Sequence, residues 1–159
     1  MDRSIVITGA SKGIGRAAAH ALVEDGWSAI GVARSSPTNF PGVFIEADLA
    51  DREKTQVLAD DLLASGSVVG IVNNVGLARH ERVDTIDPAV FAMVMDLNVR
   101  PALQFTRALL AGIRAAKFDR IINITSLVTA GLAFRGSYAA AFITGQTLFV
   151  DGGASFGTL

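Results

Sequence analysis

Short apolar runs alternate with helix-patterned segments along most of this chain of 159 residues. Alternation of strands with helices specifies a parallel sheet covered by helices on both faces, so the predicted fold class is α/β with a doubly wound sheet. We expect residues 1–159 to form a single domain. The runs that predict strands are Ser4–Thr8, Trp27–Ala33, Val43–Glu46, Val68–Val72 and Arg120–Thr125.

Helix signals fill the segments between these runs. Gly26 closes the first predicted helix, and Asp87-Pro88 provides an N-cap and a first-turn proline for the last one. Pro101 should kink that last helix because proline has no N–H to donate to the carbonyl of Leu97. The predicted helices are Ile14–Asp25, Arg52–Ala64 and Pro88 to about Ala116.

Charge and cysteine content exclude several classes of function. Lys and Arg (14) nearly balance Asp and Glu (15), which leaves no basic field for nucleic acid or an anionic membrane. The absence of cysteine removes disulfides, thiolate catalysis and zinc–thiolate sites. No apolar run approaches the length of a membrane span. From charge, cysteine content and hydropathy together we expect a cytoplasmic protein with no metal, nucleic-acid or membrane partner.

The segment Thr8–Gly15 lies between a predicted strand and a predicted helix and reads TGASKGIG. Glycines permit a tight turn and close approach of a ligand, and the helix N-terminus then offers free N–H groups to a pyrophosphate. The spacing G-x-x-x-G-x-G is not a Walker A loop, because Lys12 precedes the second glycine. Taken alone, the turn also fits an ordinary structural role.

The end of the second predicted strand bears on which dinucleotide is bound. An NAD site favours an acidic residue at this position, whereas the 2′-phosphate of NADP favours a cation. Here the strand is followed by Arg34-Ser35, and Lys12 supplies a second cation. We therefore favour NADP (NADPH) over NAD; the alternative is that Lys12 and Arg34 are two solvated surface cations.

The order of motifs along the whole chain resembles the short-chain dehydrogenase/reductase family, particularly its 3-oxoacyl-carrier-protein-reductase-like members, and so implies a Rossmann-like fold. In this resemblance Asp48-Leu49 looks like the pair that meets the adenine ring, and Asn73-Asn74-Val75-Gly76 resembles the family's N-N-A-G. The implied cofactor-binding residues are Gly9, Ser11, Lys12, Gly13, Ile14, Gly15, Arg34, Ser35, Asp48, Leu49, Asn74, Val75 and Gly76.

The same resemblance implies three catalytic residues: Asn98, Ser126 and Tyr138. It gives Tyr138 the role of general acid/base, Ser126 that of hydrogen-bond donor to the carbonyl, and Asn98 that of steadying a water relay. Each also has an ordinary alternative, as a helix kink, a strand-end cap or a half-buried aromatic. Ser126 and Tyr138 are twelve apart, one fewer than the family spacing, and Thr125 would restore that spacing.

The family's chemistry requires a lysine four residues after the tyrosine, where its ammonium would stabilise the phenolate. Here that position is Phe142, and a helix-like start at Ser137–Ala141 passes directly into a strand-like pattern. A parallel crossover needs a dozen or more residues. We infer a seam or gap near Ala141/Phe142. It is either an internal deletion or, as we favour, a join between two pieces of a longer protein.

Two hypotheses about function follow. The first is an oxidoreductase that interconverts a carbonyl and an alcohol by hydride transfer with NADP(H), acting on a small-molecule substrate. The second is a non-catalytic nucleotide-binding or subunit-interaction protein left by a deletion that removes the lysine. Half of the residues are hydrophobic. The family usually associates through the helix that carries Asn98, the catalytic helix and the last strand, so the resemblance implies a homodimer or homotetramer.

Overall fold

The computed structural model describes residues 3–79, 84–117 and 120–125. Its parallel sheet has five strands in the order β3-β2-β1-β4-β5. This arrangement confirms the predicted α/β, doubly wound, Rossmann-like fold. The elements are β1 Ser4–Thr8, α1 Gly13–Glu24, β2 Ser28–Ala33, β3 Val43–Glu46, α2 Arg52–Ala64, β4 Val68–Asn73, α3 Pro88–Ala115 and β5 Arg120–Asn123.

The end of α1 shows why β2 begins one residue later than predicted. Gly26 has a positive φ of 86° and donates its N–H to the carbonyl of Val23, and Trp27 donates to the carbonyl of Leu22. This pair of bonds is a Schellman cap. The N–H of Trp27 therefore belongs to the helix end, and the ladder with β1 begins at Ser28.

The other predicted boundaries differ by two residues at most. β5 ends at Asn123 instead of Thr125, because the ladder with β4 ends where Asn73 pairs with Asn123. Helix α3 runs without interruption through the buried Pro101, so the predicted kink stays a prediction. Among the described residues, no helix is long and apolar enough to cross a membrane.

Each face of the sheet has its own hydrophobic core. On one face Val6 and Ile71 pack with Phe105, Leu109 and Ile113 of α3. On the opposite face, Ile5, Ile7 and Val72 pack with Ala19 of α1. Every residue of β1 and β4 is buried, as expected of strands covered on both faces. The two central strands are thereby fixed in position, and their carboxyl ends with them.

A polar network joins α3 to the turn that precedes α2. The Arg100 side chain is 13% exposed, and its guanidinium donates to the carboxylate of Asp96 and to the carbonyls of Leu49 and Ala50, the latter two at 3.0 Å. Arg52 makes a second ion pair with Asp96 at 2.6 Å. Hydrogen bonds from Arg100 hold the pKa of Asp96 below its ordinary value of 3.8, against the opposing effect of burial, and the charges of both arginines add to the lowering.

We predict that Asp96→Asn lowers the free energy of unfolding by about 1–2 kcal/mol at pH 7, because Arg100 loses an ionised partner. A carboxyl group whose pKa is lowered in the native state stabilises the fold above its unfolded pKa and loses that contribution as the pH falls. The difference in the free energy of unfolding between the variant and wild type should therefore become smaller as the pH falls from about 5 to about 3. Urea unfolding at several pH values measures it.

The matched control is Asp61→Asn, which makes the same charge change at an exposed position of α2. Among the described residues the Asp61 side chain has no hydrogen bond or ion pair, so this variant should match wild type throughout the pH range. Equal losses in the two variants, or a difference that is constant with pH, would contradict the role given to Asp96.

Candidate functional site

The strand order of the sheet reverses at the carboxyl ends of β1 and β4, and we call the region beside the segments that follow these two strands the crevice. From β1 the chain continues to β2 on one side, while β4 and β5 extend the sheet on the other side. The connections after β1 and β4 therefore diverge, which is where open α/β sheets bind ligands. The two segments that enter this crevice are the glycine turn Thr8–Gly15 and the segment Asn73–Gly76, both of which contain predicted cofactor-binding residues.

The glycine turn has backbone geometry that only glycine adopts without strain. Gly9 and Gly13 have positive φ values of 68° and 55°. Gly15 is crowded, since a Cβ there would lie 2.5 Å from both the Asn74 amide nitrogen and the carbonyl oxygen of Gly9. Gly13 faces open space, because a Cβ at that position would have no atom within 4 Å. The first and third glycines thus serve packing, and the second leaves room above the helix start.

The hydroxyl group of Thr8 joins the two segments of the crevice. Thr8 is fully buried, and its Oγ1 accepts hydrogen bonds from the N–H groups of Asn74 (2.9 Å) and Val75 (3.0 Å). The same hydroxyl donates to the carbonyl of Val72 at 3.4 Å. One side chain at the end of β1 therefore fixes the path of the chain as it leaves β4.

Asn74 makes the reciprocal connection. Its side-chain amide donates to the carbonyls of Thr8 (3.0 Å) and Gly9 (3.2 Å), on the inner side of the glycine turn. The predicted residues Gly9, Gly15, Asn74 and Val75 are thus brought into direct contact, although the first two lie 59 or more positions from the last two in the sequence. Val75 also packs against the core on the α3 face.

Asn98, the predicted catalytic asparagine, lies on α3 beside the end of the same segment. Its Oδ1 accepts the N–H of Leu77 at 2.7 Å, and its Nδ2 donates to the carbonyl of Leu77 at 2.9 Å. Gly76 is close by, with a Cβ position 3.4 Å from Asn98 Oδ1. Both ends of the Asn98 amide are therefore used to hold the chain that follows Gly76.

The predicted cations lie on the surface at the β2 side of the crevice. Lys12, Arg34 and Ser35 are all exposed, and Arg34 follows directly on the last residue of β2. The glycine turn is fastened to this strand by a hydrogen bond of 2.8 Å from the N–H of Gly9 to the carbonyl of Val32. Both cations are thus accessible to an anionic ligand, and Lys12 immediately precedes α1.

The adenine-binding pair predicted at Asp48-Leu49 divides between surface and core. Asp48 is exposed, and its carboxylate accepts the N–H of Ala50 at 3.0 Å. Leu49 is 2% exposed and packs in the core on the α3 face. The carbonyl of Leu49 accepts hydrogen bonds from Arg100 and Thr55, so this turn is fixed from two sides.

The N-terminus of α1 fits a pyrophosphate group. Lys12 is the N-cap residue, and its side chain makes no capping hydrogen bond. The N–H groups of the first turn are therefore not occupied by the side chain of the N-cap residue. Ser11, just before the helix start, is half-buried, whereas Gly13 and Ile14 are exposed. Helix N-termini with free N–H groups favour phosphate oxygens, and the side-chain-free space at Gly13 permits close approach.

Several predicted features lie outside the described residues. These are Ser126, Tyr138, the position Phe142 and the seam near Ala141/Phe142. Thr125, the alternative to Ser126, is described and lies two residues beyond the end of β5. In the described ranges no three His, Cys, Asp or Glu side chains come together as candidate metal ligands.

Sequence reasoning identified the glycine turn and the asparagine segment but missed the residue that connects them. Thr8 is the first residue of the turn motif, and a buried strand-end threonine is itself a signal, because a buried hydroxyl requires partners. The pattern did not indicate that its partners are the backbone N–H groups of residues 74 and 75. Arg100, which holds the Leu49 turn, was also missed.

Similarity to known proteins identifies the family of this chain. Residues 3–149 match the family model for short chain dehydrogenase. The chain is 32% identical over 148 residues to 3-oxoacyl-(acyl-carrier-protein) reductase FabG of Vibrio harveyi, covering 86% of this chain and 60% of that protein. A short-chain dehydrogenase from Streptomyces avermitilis superimposes with a TM-score of 0.69 at 30% identity, covering 79% of this chain and 50% of that chain.

A second solved structure is that of a protein assigned as an NAD(P)-dependent gluconate 5-dehydrogenase from Beutenbergia cavernae, with NADP bound at low occupancy. It superimposes with a TM-score of 0.74 at 27% identity, covering 87% of this chain and 60% of that chain. The chain described here belongs to the short-chain dehydrogenase family. It spans about 60% of the length of FabG of Vibrio harveyi.

We predict that Thr8→Val lowers the free energy of unfolding by about 2 kcal/mol, because the N–H groups of Asn74 and Val75 lose their acceptor while the shape is kept. Urea denaturation followed by circular dichroism measures the change. Thr8→Ser is the matched control, since it keeps the hydroxyl and removes only a methyl group. A Thr8→Val protein at least as stable as Thr8→Ser would contradict the junction role of the hydroxyl.

Proposed function

We propose that this protein is an NADP(H)-dependent oxidoreductase that interconverts a carbonyl and an alcohol on a small molecule by hydride transfer. The observation that carries the proposal is the crevice in which the glycine turn, Asn74 and Asn98 meet at the switch point of the sheet. Family membership supports the reaction type, because the family model is that of a dehydrogenase.

In this proposal the cofactor lies across the carboxyl ends of the strands. The pyrophosphate is held by the N–H groups at the start of α1, the adenine lies near Asp48 and Leu49, and Lys12, Arg34 and Ser35 hold the 2′-phosphate. Exposure of the two cations supports this assignment. The NADP carried by the Beutenbergia protein is consistent with it. The bound nicotinamide supplies or accepts the hydride.

The protein's own groups then supply hydrogen bonds and a proton. Reduction of a carbonyl leaves negative charge on its oxygen, which requires oriented donors. We assign Ser126 as the donor to that oxygen and Tyr138 as the acid that protonates it, on the resemblance of their motifs to those of the family. Asn98 is assigned a positioning part, because both ends of its amide hold Leu77 beside the crevice.

The second candidate is a nucleotide-binding protein without turnover. The observation that favours it is Phe142 at the position four residues after Tyr138, where the family's chemistry needs a lysine. Phenylalanine carries no charge to favour the phenolate form of tyrosine. This candidate keeps the cofactor crevice and loses the reaction, so binding and turnover must be measured separately.

Nucleotide binding is the first test. We expect NADPH, followed by its own fluorescence, to bind more tightly than NADH, and Arg34→Ala to weaken NADPH binding by about tenfold or more while changing NADH little, since a charge-assisted contact is lost. Arg114→Ala removes the same charge from the last turn of α3 and serves as the control. Equal weakening of both nucleotides by Arg34→Ala would overturn the NADP assignment.

Turnover is the second test. With a panel of ketones the protein should consume NADPH, and Tyr138→Phe should abolish nearly all of that consumption while leaving NADPH binding intact. Consumption that survives this substitution would remove Tyr138 from its catalytic role. Binding without turnover, together with an intact mass near 16.6 kDa, is the result that the non-catalytic candidate requires.

A homo-oligomer remains a proposal as well. Apolar side chains are exposed along α3, notably Phe91 (53%), Leu103 (50%) and Val99 (38%). These residues recur at helical spacing, so they form a stripe that a second copy of the chain would cover. Light scattering of the purified protein should give twice or four times the chain mass, and a monomer would contradict the proposal. A cytoplasmic location stays a prediction.

A further inference from the structure

Glu46 ends β3 beside the segment to which we assign the 2′-phosphate. In the parallel register Ala33 pairs with Glu46, and the N–H of Ala47 donates to the carbonyl of Ala33 at 2.9 Å. The chain leaves β2 at that point and continues into Arg34 and Ser35. A carboxylate therefore lies at the same corner of the crevice as one of the two cations that favour NADP.

The Glu46 carboxylate occupies a hydrogen-bond donor there. Its Oε1 accepts the backbone N–H of Ser36 at 2.9 Å, in an exposed position. Carboxylate and phosphate oxygens are both anionic acceptors that seek such N–H donors. A phosphate at this corner would thus meet a negative charge and a donor that is already engaged, whereas a ribose hydroxyl would meet an acceptor.

The loop that carries Ser36 is held by more than this one bond. Arg16 of α1 donates to the carbonyl of Thr38 at 2.9 Å. Phe40 packs edge to face on Phe44 of β3, with ring centroids 5.0 Å apart. Replacing Glu46 should therefore leave the loop in place, and its effect on ligand binding can be read separately from folding.

We propose that Glu46 is a specificity-determining residue that repels the 2′-phosphate of NADP and accepts a hydrogen bond from the ribose 2′-hydroxyl of NAD. It thereby reduces the preference for NADP over NAD that Lys12 and Arg34 produce. The proposal rests on the dinucleotide-binding function given above. In NAD sites of this architecture the acidic partner of the ribose comes from the end of the second strand. In this protein the carboxylate comes from Glu46 at the end of the third strand, which pairs with Ala33, the last residue of the second strand.

The test is the ratio of dissociation constants for NADPH and NADH in wild type and Glu46→Gln. The amide keeps an oxygen that can accept the Ser36 N–H but removes the charge. We expect NADPH to bind about tenfold more tightly, as removal of one like charge at short range would give, while NADH binds equally or more weakly. Glu24→Gln is the control, because it removes the same charge at the opposite end of α1.

A second variant distinguishes specificity from structural support. Glu46→Ala removes both charge and acceptor and should also favour NADPH over NADH. If Glu46→Ala weakens both nucleotides equally and Glu46→Gln changes neither, Glu46 only supports the loop and the inference fails while the proposed function stands. If wild type binds neither nucleotide, the proposed function and this inference fail together.

Discussion

The buried hydroxyl of Thr8 is the contact on which the geometry of the crevice depends. β1 and β4 are adjacent in the sheet, but their paired residues lie 64 or 65 positions apart in the chain, so nothing local fixes how their following loops meet. Thr8 accepts from the N–H groups of residues 74 and 75, and Asn74 donates back to the carbonyls of Thr8 and Gly9. These bonds explain why Gly15 must lack a side chain, since Asn74 fills that space.

Helix α3 holds the crevice from the other side. Asn98 binds the backbone of Leu77, and two residues later Arg100 binds the carbonyls of Leu49 and Ala50. One helix therefore positions the loop after β4 and the turn before α2. The helix is itself fixed by Phe105, Leu109 and Ile113, which are fully or almost fully buried against the sheet. Precise loop positions at the site are thus a consequence of core packing on the α3 face.

The crevice contains groups that attract an anionic ligand and one carboxylate that repels it. The uncapped start of α1 and the exposed Lys12 and Arg34 favour an anionic ligand. Glu46 engages the Ser36 N–H at the same corner and introduces the opposite charge. The preference for one cofactor over the other is the difference between the two binding free energies, to which the cations and the carboxylate contribute with opposite sign. The residues that follow β2 in the sequence include the cation Arg34 but not the carboxylate of Glu46, which comes from β3.

The sequence by itself determined the order and type of the described elements, because apolar runs and glycine, proline and aspartate signals act locally. It also identified the glycine turn and Asn74, because their motifs stand in the family's order along the chain. Only the tertiary structure decided that Asn74 contacts both Thr8 and Gly15, that Arg100 holds the Leu49 turn, and that Glu46 reaches Ser36. Those contacts depend on strand order and register, which arise from packing between residues far apart in the chain and leave no periodic signal in it.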